Sequence, residues 1–262
     1  MVENGSQIPS QAPMLKIETL TKRFDGVVAV DNVEFEIHPG ELVSLIGPNG
    51  SGKTTFFNCV TGFLNPDGGR IVFKGEDITN QQPSRIALRG IGRTFQNVRV
   101  LPSLTVLQNL LVAVQQHQED NIIKRALRTR SIRDLEAHSL ELADEVMEQV
   151  GLTELRNEEV HNLVYGQRKL LEFACALIPD PDLVMLDEPA AGVSTAMVDQ
   201  MKENILKQHR KGKTFLVVEH NMGVVMDISQ RIVVLDHGKK IAEGLPKEIR
   251  EDEGVREAYF GR

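Results

Sequence analysis

An α/β fold is predicted for this 262-residue chain, with ligand-binding loops at the C-terminal edge of a largely parallel sheet and an antiparallel β-subdomain ahead of it. Three features predict it. The stretch Gly47-Pro48-Asn49-Gly50-Ser51-Gly52-Lys53-Thr54-Thr55 fits G-x-x-x-x-G-K-[ST] in full and lies between a strand-like apolar run at 42–46 and a helix-like segment from Phe56. A second apolar run, 183–186, delivers Asp187-Glu188 and then the breaker Pro189. A third, 214–218, delivers Glu219-His220, and the helical pattern at about 195–208 between these two runs completes a βαβ unit.

The elements follow in order. Residues 1–13, rich in Ser, Gln and Pro, read as a disordered leader, and residues 14–262 as a single domain. Alternation at 15–20, then runs at 27–30 and 33–37, give three strands of an antiparallel sheet. Gly62 is placed to end the helix after the loop, and Pro66-Asp67-Gly68-Gly69 turns into a strand at 70–73. A short helix at 83–88 and a strand at 91–96 ending in Gln96 come next. Helical periodicity runs from 104 to 114 with Ser103 or Thr105 as its cap. Leu135, Ser139, Leu142, Val146 and Val150 mark one face of an amphipathic helix closing at Gly151. Tyr165-Gly166 reads as a turn before a helix at about 167–177. Residues 232–235, a hairpin over 236–239 and a short acidic helix complete the chain.

Composition sets bounds on function. A net charge of −7 and a pI near 5.6, with no basic cluster, argue against binding nucleic acid. Cys59 and Cys175 lie far apart in apolar surroundings and read as reduced, buried thiols. No apolar stretch reaches eighteen residues and no signal peptide is visible, so membrane attachment is expected through a partner.

The chemistry follows from the loop and the two strand ends. Glycines let backbone N–H groups close around phosphates and the helix behind adds its positive end, while Lys53 would hold the β- and γ-phosphates and the Thr54 hydroxyl would ligate Mg²⁺. Asp187 would hold Mg²⁺, directly or through water, and Glu188 would polarise a water for in-line attack; both could instead cap the next helix, at the cost of two carboxylates with no cation. His220 could contact the γ-phosphate, although a lone histidine is more often an ordinary surface residue. The Gln96 amide could reach Mg²⁺ or the attacking water, or simply end a strand. Phe24, beside a turn among polar neighbours, is free to stack on a flat ligand such as adenine, where core packing is the default for a lone Phe.

Together these residues resemble the nucleotide-binding subunit of an ATP-binding cassette (ABC) transporter over residues 15–261. The resemblance implies a P-loop NTPase ABC ATPase core with an inserted α-helical subdomain at about 93–177, binding ATP and Mg²⁺. It makes Phe24 the adenine-stacking aromatic, Gly47 to Thr55 Walker A, Gln96 the Q-loop, Asp187 and Glu188 the end of Walker B with the catalytic glutamate, and His220 the switch histidine. Residues 190–194 fall at the D-loop, where Val193 and Ser194 depart from the family's common Leu and Asp or Asn. Leu163-Val164-Tyr165-Gly166-Gln167 falls where the family carries its signature, usually L-S-G-G-Q, so Val164, Tyr165, Gly166 and Gln167 would reach the nucleotide held by a second cassette, the same chain or a different one. Val164 replaces a serine that donates to the γ-phosphate, which implies weakened closure. Tyr-Gly-Gln in the signature, Glu-Pro-Ala-Ala-Gly at 188–192 and the ending Glu257-Ala258-Tyr259-Phe260-Gly261 look most like the ATPase subunits of branched-chain amino-acid importers. Subunits serving urea or lipopolysaccharide transport share much of this. The implied partners are integral membrane permease subunits and, for an importer, a solute-binding protein, with this chain on the cytoplasmic face of the membrane. A soluble ABC ATPase of repair or translation would carry a coiled-coil insert or a second cassette, and a P-loop kinase would need an acceptor site.

Overall fold

The computed structural model describes residues 12–94, 100–115 and 130–260. Two sheets divide the strands as their patterning demands. The alternating ones, β1 (Leu15–Phe24), β2 (Val27–Ile37), β4 (Gly68–Phe73) and β5 (Glu76–Asp77), form an antiparallel sheet in the order β2-β1-β4-β5. The continuous apolar runs, β3 (Leu42–Ile46), β7 (Leu183–Asp187) and β8 (Thr214–Val218), are buried throughout. With β6 (Ile91–Arg93), β9 (Arg231–Asp236) and β10 (Lys239–Gly244) they form the second sheet, β10-β9-β3-β8-β7-β6. All its pairs are parallel except the β9–β10 hairpin.

Burial on both faces is what a continuous apolar strand requires. Val43, Leu45, Leu183, Met185, Leu216 and Val218 point towards the antiparallel sheet and α1 (Lys53–Val60), sharing a core with Leu15, Phe35, Phe56 and Phe73. Their alternates, Leu42, Val184, Leu186, Phe215 and Val217, face a second core built with residues of α3 (Val106–Gln115), α4 (Arg130–Val150), α5 (Tyr165–Leu177) and the helices at 195–210 and 222–228. The remaining helices are α2 (Pro83–Leu88), α6 (Thr195–Arg210), α7 (Met222–Ile228), α8 (Pro246–Glu251) and α9 (Glu253–Phe260). Arg231 ties the sheets together, donating to the Glu36 carbonyl at 2.6 Å and to Glu41 Oε2 at 2.7 Å.

The elements depart from the sequence expectation in several places, among them β6, which ends at Arg93 with Thr94 already outside the strand, while Gln96 lies outside the described residues. The runs at 27–30 and 33–37 are one strand: Asn32 adopts φ +51°, and its N–H donates to Thr21 Oγ1 at 3.2 Å, so the chain passes through an irregularity without leaving the sheet. Tyr165-Gly166 is the first turn of α5 rather than a turn before it, because Val164 at φ −68°, ψ 158° already forms the N-cap. On α4, Leu142, Val146 and Val150 pack as expected but Leu135 is exposed, and the fully buried face starts at Ala143. Thr61 rather than Gly62 is the C-cap of α1, with Gly62 following at φ +75°. Thr105 does cap α3: Gln108 N–H donates to its hydroxyl at 3.2 Å and Thr105 N–H to Gln108 Oε1 at 2.9 Å.

Candidate active site

The glycine-rich loop joins β3 to α1 and is clamped from two sides. A Cβ on Gly47 would collide with the Leu235 carbonyl oxygen, and one on Gly52, at φ +100°, with that of Ala29. Gly238 N–H, in the β9–β10 turn, donates to the Ser51 carbonyl at 3.0 Å. Lys53 is buried and folds back over the loop, its ammonium donating to the Gly47 and Pro48 carbonyls at 2.8 and 2.9 Å and to Ser51 Oγ at 3.3 Å. Burial lowers its pKa, opposed by the Glu188 and Asp187 carboxylates. Pro48 and Thr55 are half-buried, while Asn49, Gly50 and the Thr54 side chain are exposed.

Register aligns the other strand ends with this loop. Val218 of β8 is paired with Leu45 on one side and with Asp187 on the other, so those two Cα atoms lie about 10 Å apart, two strand spacings. Asp187 is only 2 % exposed, and its Oδ1 has no hydrogen-bond partner among the described residues. Burial, reinforced by Glu188, pushes its pKa up to about 6 despite the opposing pull of Arg93, Lys169 and Lys53. Among the described residues no group of three or more His, Cys, Asp or Glu could cage a metal. A hard divalent cation held by one carboxylate, one hydroxyl and substrate phosphates is the arrangement these donors fit, and the orphaned Oδ1 is the observation that favours it.

Glu188 adopts φ +49°, a left-handed conformation that costs a non-glycine residue energy and recurs at functional sites. It is held there by its N–H donating to the Val218 carbonyl at 2.9 Å and by Lys169 Nζ donating to its carbonyl at 3.3 Å. His220 Nδ1 lies 3.5 Å from Glu188 Oε1. Lys53, Asp187, Glu188 and His220 thus share one edge of the sheet.

Val164 and Tyr165 are exposed at the start of α5. The Val164 N–H donates to Gln167 Oε1 at 3.1 Å, half of a capping box whose other half an aliphatic side chain leaves unmade. Gly166 is buried, and a Cβ there would come within 2.7 Å of Met197 Cγ in α6. Gly192, at φ +72°, packs under the Tyr165 ring. Phe24, 44 % exposed, ends β1 opposite Val27 with Lys22 Nζ 5.4 Å over its ring; no described contact brings it to the loop. Gln96 lies outside the described residues.

Three residues that sequence reasoning passed over shape the site. Arg93 stacks its guanidinium 4.8 Å from the Phe57 ring and 4.2 Å from that of Phe63 and donates to Thr61 Oγ1. Lys169 supports Glu188, and Glu219 ties together the backbone around His220. Only Glu219 had a visible signal: like Asp187, it directly follows an all-apolar strand.

Two family models match the chain: ABC transporter over residues 30–191, and branched-chain amino acid ATP-binding cassette transporter over residues 239–262. The chain is 42 % identical over 250 residues to the high-affinity branched-chain amino acid transport ATP-binding protein BraF of Pseudomonas aeruginosa, covering 95 % of this chain and 98 % of that one. It is 42 % identical over 251 residues to LivG of Escherichia coli, a protein named for the same transport, with the same coverage. Among solved structures it is similar to a nucleotide-free ATP-binding cassette from an ABC transporter, with TM-score 0.83, 34 % identity, and 96 % and 100 % of the two chains covered. A dimeric post-hydrolysis cassette bound to ADP and Pi matches with TM-score 0.75 at 25 % identity, over 89 % and 99 % of the two chains.

Proposed function

Because the chain belongs to the ABC transporter ATP-binding family, we propose that it is the ATP-hydrolysing subunit of an importer for branched-chain amino acids. The proposed importer holds it at the cytoplasmic face of a membrane through integral permease subunits and receives solute from a binding protein. Among the described residues no helix is long and apolar enough to cross a membrane, which is consistent with attachment through partners. The names of the relatives at 42 % identity and the C-terminal family match support the solute class.

One observation carries the mechanism: register brings the glycine-rich loop, Asp187-Glu188 and His220 to neighbouring ends of β3, β7 and β8, where ligands bind in open α/β sheets. The loop N–H groups and the N-terminus of α1 surround the phosphates, and Lys53 exchanges its loop carbonyls for the β- and γ-phosphates. Thr54, Asp187 and the Gln96 amide would hold Mg²⁺, which would supply charge neutralisation for phosphoryl transfer. Glu188 accepts the proton of a water whose oxygen attacks the γ-phosphorus in line; the bond to the β,γ-bridging oxygen breaks, its electron pair stays with ADP, and inorganic phosphate leaves. His220, beside Glu188, orients against the γ-phosphate. Phe24 stacks on the adenine.

Each site is completed by Val164 to Gln167 of a second cassette, through the N-terminus of its α5; the dimeric relative supports this pairing. Loss of the γ-phosphate releases the halves. Residues 93–177 form the piece that follows this motion. The proposed permease contact uses this piece; the cavity of about 490 Å³ lined by Arg93, Leu101 and Asn109 supports the reading. Steady-state ATP hydrolysis by the purified chain tests the reading. Activity in the wild type that disappears in Glu188→Gln is expected, and turnover by Glu188→Gln at the wild-type rate would remove the base from the mechanism.

A further inference from the structure

Glu219 has no role in the chemistry above, yet it is fully buried and both of its carboxylate oxygens are engaged. Oε1 accepts the Ala190 N–H at 2.9 Å, and Oε2 accepts those of His220 at 2.9 Å and Asn221 at 3.1 Å. Its own N–H donates to the Leu45 carbonyl of β3 at 3.3 Å. Among the described residues no lysine or arginine forms an ion pair with it. Three backbone N–H donors from two different loops meet the charge, and the only side chain that pairs with it among the described residues is His220, whose Nδ1 lies 4.0 Å from Oε2.

Those loops are the ones that matter for hydrolysis. Ala190 lies two residues beyond Glu188, and His220 is adjacent to Glu219 itself. We propose that Glu219 is a positioning residue that locks the backbone beyond Glu188 to the backbone of His220, fixing the spacing of the general base and the γ-phosphate sensor. The proposal rests on the ATPase reading of the site. A carboxylate suits this place because it is acceptor-only, with one oxygen for each loop. An amide of the same shape keeps one acceptor oxygen and turns an NH₂ group towards the N–H donors of one loop. The bond between the loops is then lost with almost no change in volume.

The test is Glu219→Gln in the full-length chain, alone and combined with His220→Ala, with Glu188→Gln as control. In the wild-type background kcat is expected to fall about tenfold, with ATP affinity unchanged within about twofold. In the His220→Ala background, where there is no sensor left to position, the same substitution should cost less than about twofold. Single-turnover phosphate release gives the same ratios if His220→Ala is too slow in the steady state. An equal loss in both backgrounds, a parallel loss of ATP binding, no loss at all, or a Glu219→Gln protein that does not fold would each overturn the proposal, because the carboxylate would then be a packing element or dispensable. An inactive wild type, or an active Glu188→Gln, would instead count against the ATPase reading and not against Glu219 alone.

Discussion

Replacing Asp187 with Asn should make the metal-free protein more stable. Burial and the neighbouring Glu188 raise the Asp187 pKa from the ordinary 3.8 to about 6. The folded state therefore binds this proton more tightly than the unfolded state does. The stabilisation is complete below the unfolded value and disappears as pH rises from about 4 through 6. At neutral pH the buried carboxylate carries a penalty of about 3 kcal/mol. Asn is nearly isosteric and never ionises, and that penalty is already net of the attraction of Arg93, Lys169 and Lys53; allowing for imperfect hydrogen bonding of the buried amide, the net gain is expected at about 1–3 kcal/mol. Urea denaturation of both proteins in chelator, from pH 4 to pH 8, isolates the effect as a difference curve. The curve should be near zero at pH 4, favour the Asp187→Asn protein increasingly up to about pH 6, and then level off. With Mg²⁺ and ATP the order should reverse, since only the wild type keeps the cation ligand and gains from ligation. A flat difference curve, or a wild type that remains the more stable protein at pH 8 in chelator, would refute the assignment of Asp187 as a buried carboxylate awaiting a cation.

Val164→Ser should act twice: a hydroxyl at the N-cap completes the capping box with Gln167 and adds about 1 kcal/mol of stability, and a new donor towards the partner's γ-phosphate should raise hydrolysis about fivefold; denaturation and phosphate release read the two separately. Gly52→Ala forces a Cβ against the Ala29 carbonyl at φ +100°, so it should cost about 1–3 kcal/mol and abolish ATP binding measured by calorimetry. Burial pushes the Cys59 thiol up to about 11, and burial with Glu172 pushes Cys175 up to about 12. Only Cys59 is buried as the sequence led one to expect, whereas Cys175 is half-buried and lines the cavity beside Arg93; a thiol reagent at pH 7.5 should therefore spare Cys59 until the protein is denatured and modify Cys175 slowly in the native protein.

Much of the site was legible because its parts stand where patterning changes abruptly. Lys53 was legible from the glycine-rich pattern around it, and Asp187, Glu188 and His220 from standing at the end of a buried strand, where a charged residue after a run of apolar ones has few cheap explanations. The α/β fold followed from the same strands; the cap of α3 stayed open between Ser103 and Thr105, which Gln108, three residues beyond Thr105, decides in the structure. Pairwise register was not legible: that Val218 aligns Leu45 with Asp187 depends on strand order, which no local pattern encodes. The bulge at Asn32 was missed because a side chain from another strand, Thr21, absorbs the break. Gly166 was read as backbone access to phosphate, but its contact with Met197, thirty-one residues away, gives it a packing reason too. Glu219 had the same strand-end signal as Asp187 and was overshadowed by the histidine beside it.

The central claim is that this edge of the sheet, closed by a second cassette, hydrolyses ATP. Light scattering of Glu188→Gln after size exclusion tests it most directly. With Mg²⁺ and ATP the mass should double into a stable dimer, and with ADP it should remain that of the monomer. A protein that binds ATP yet stays monomeric under both conditions would contradict closure by a second copy of this chain.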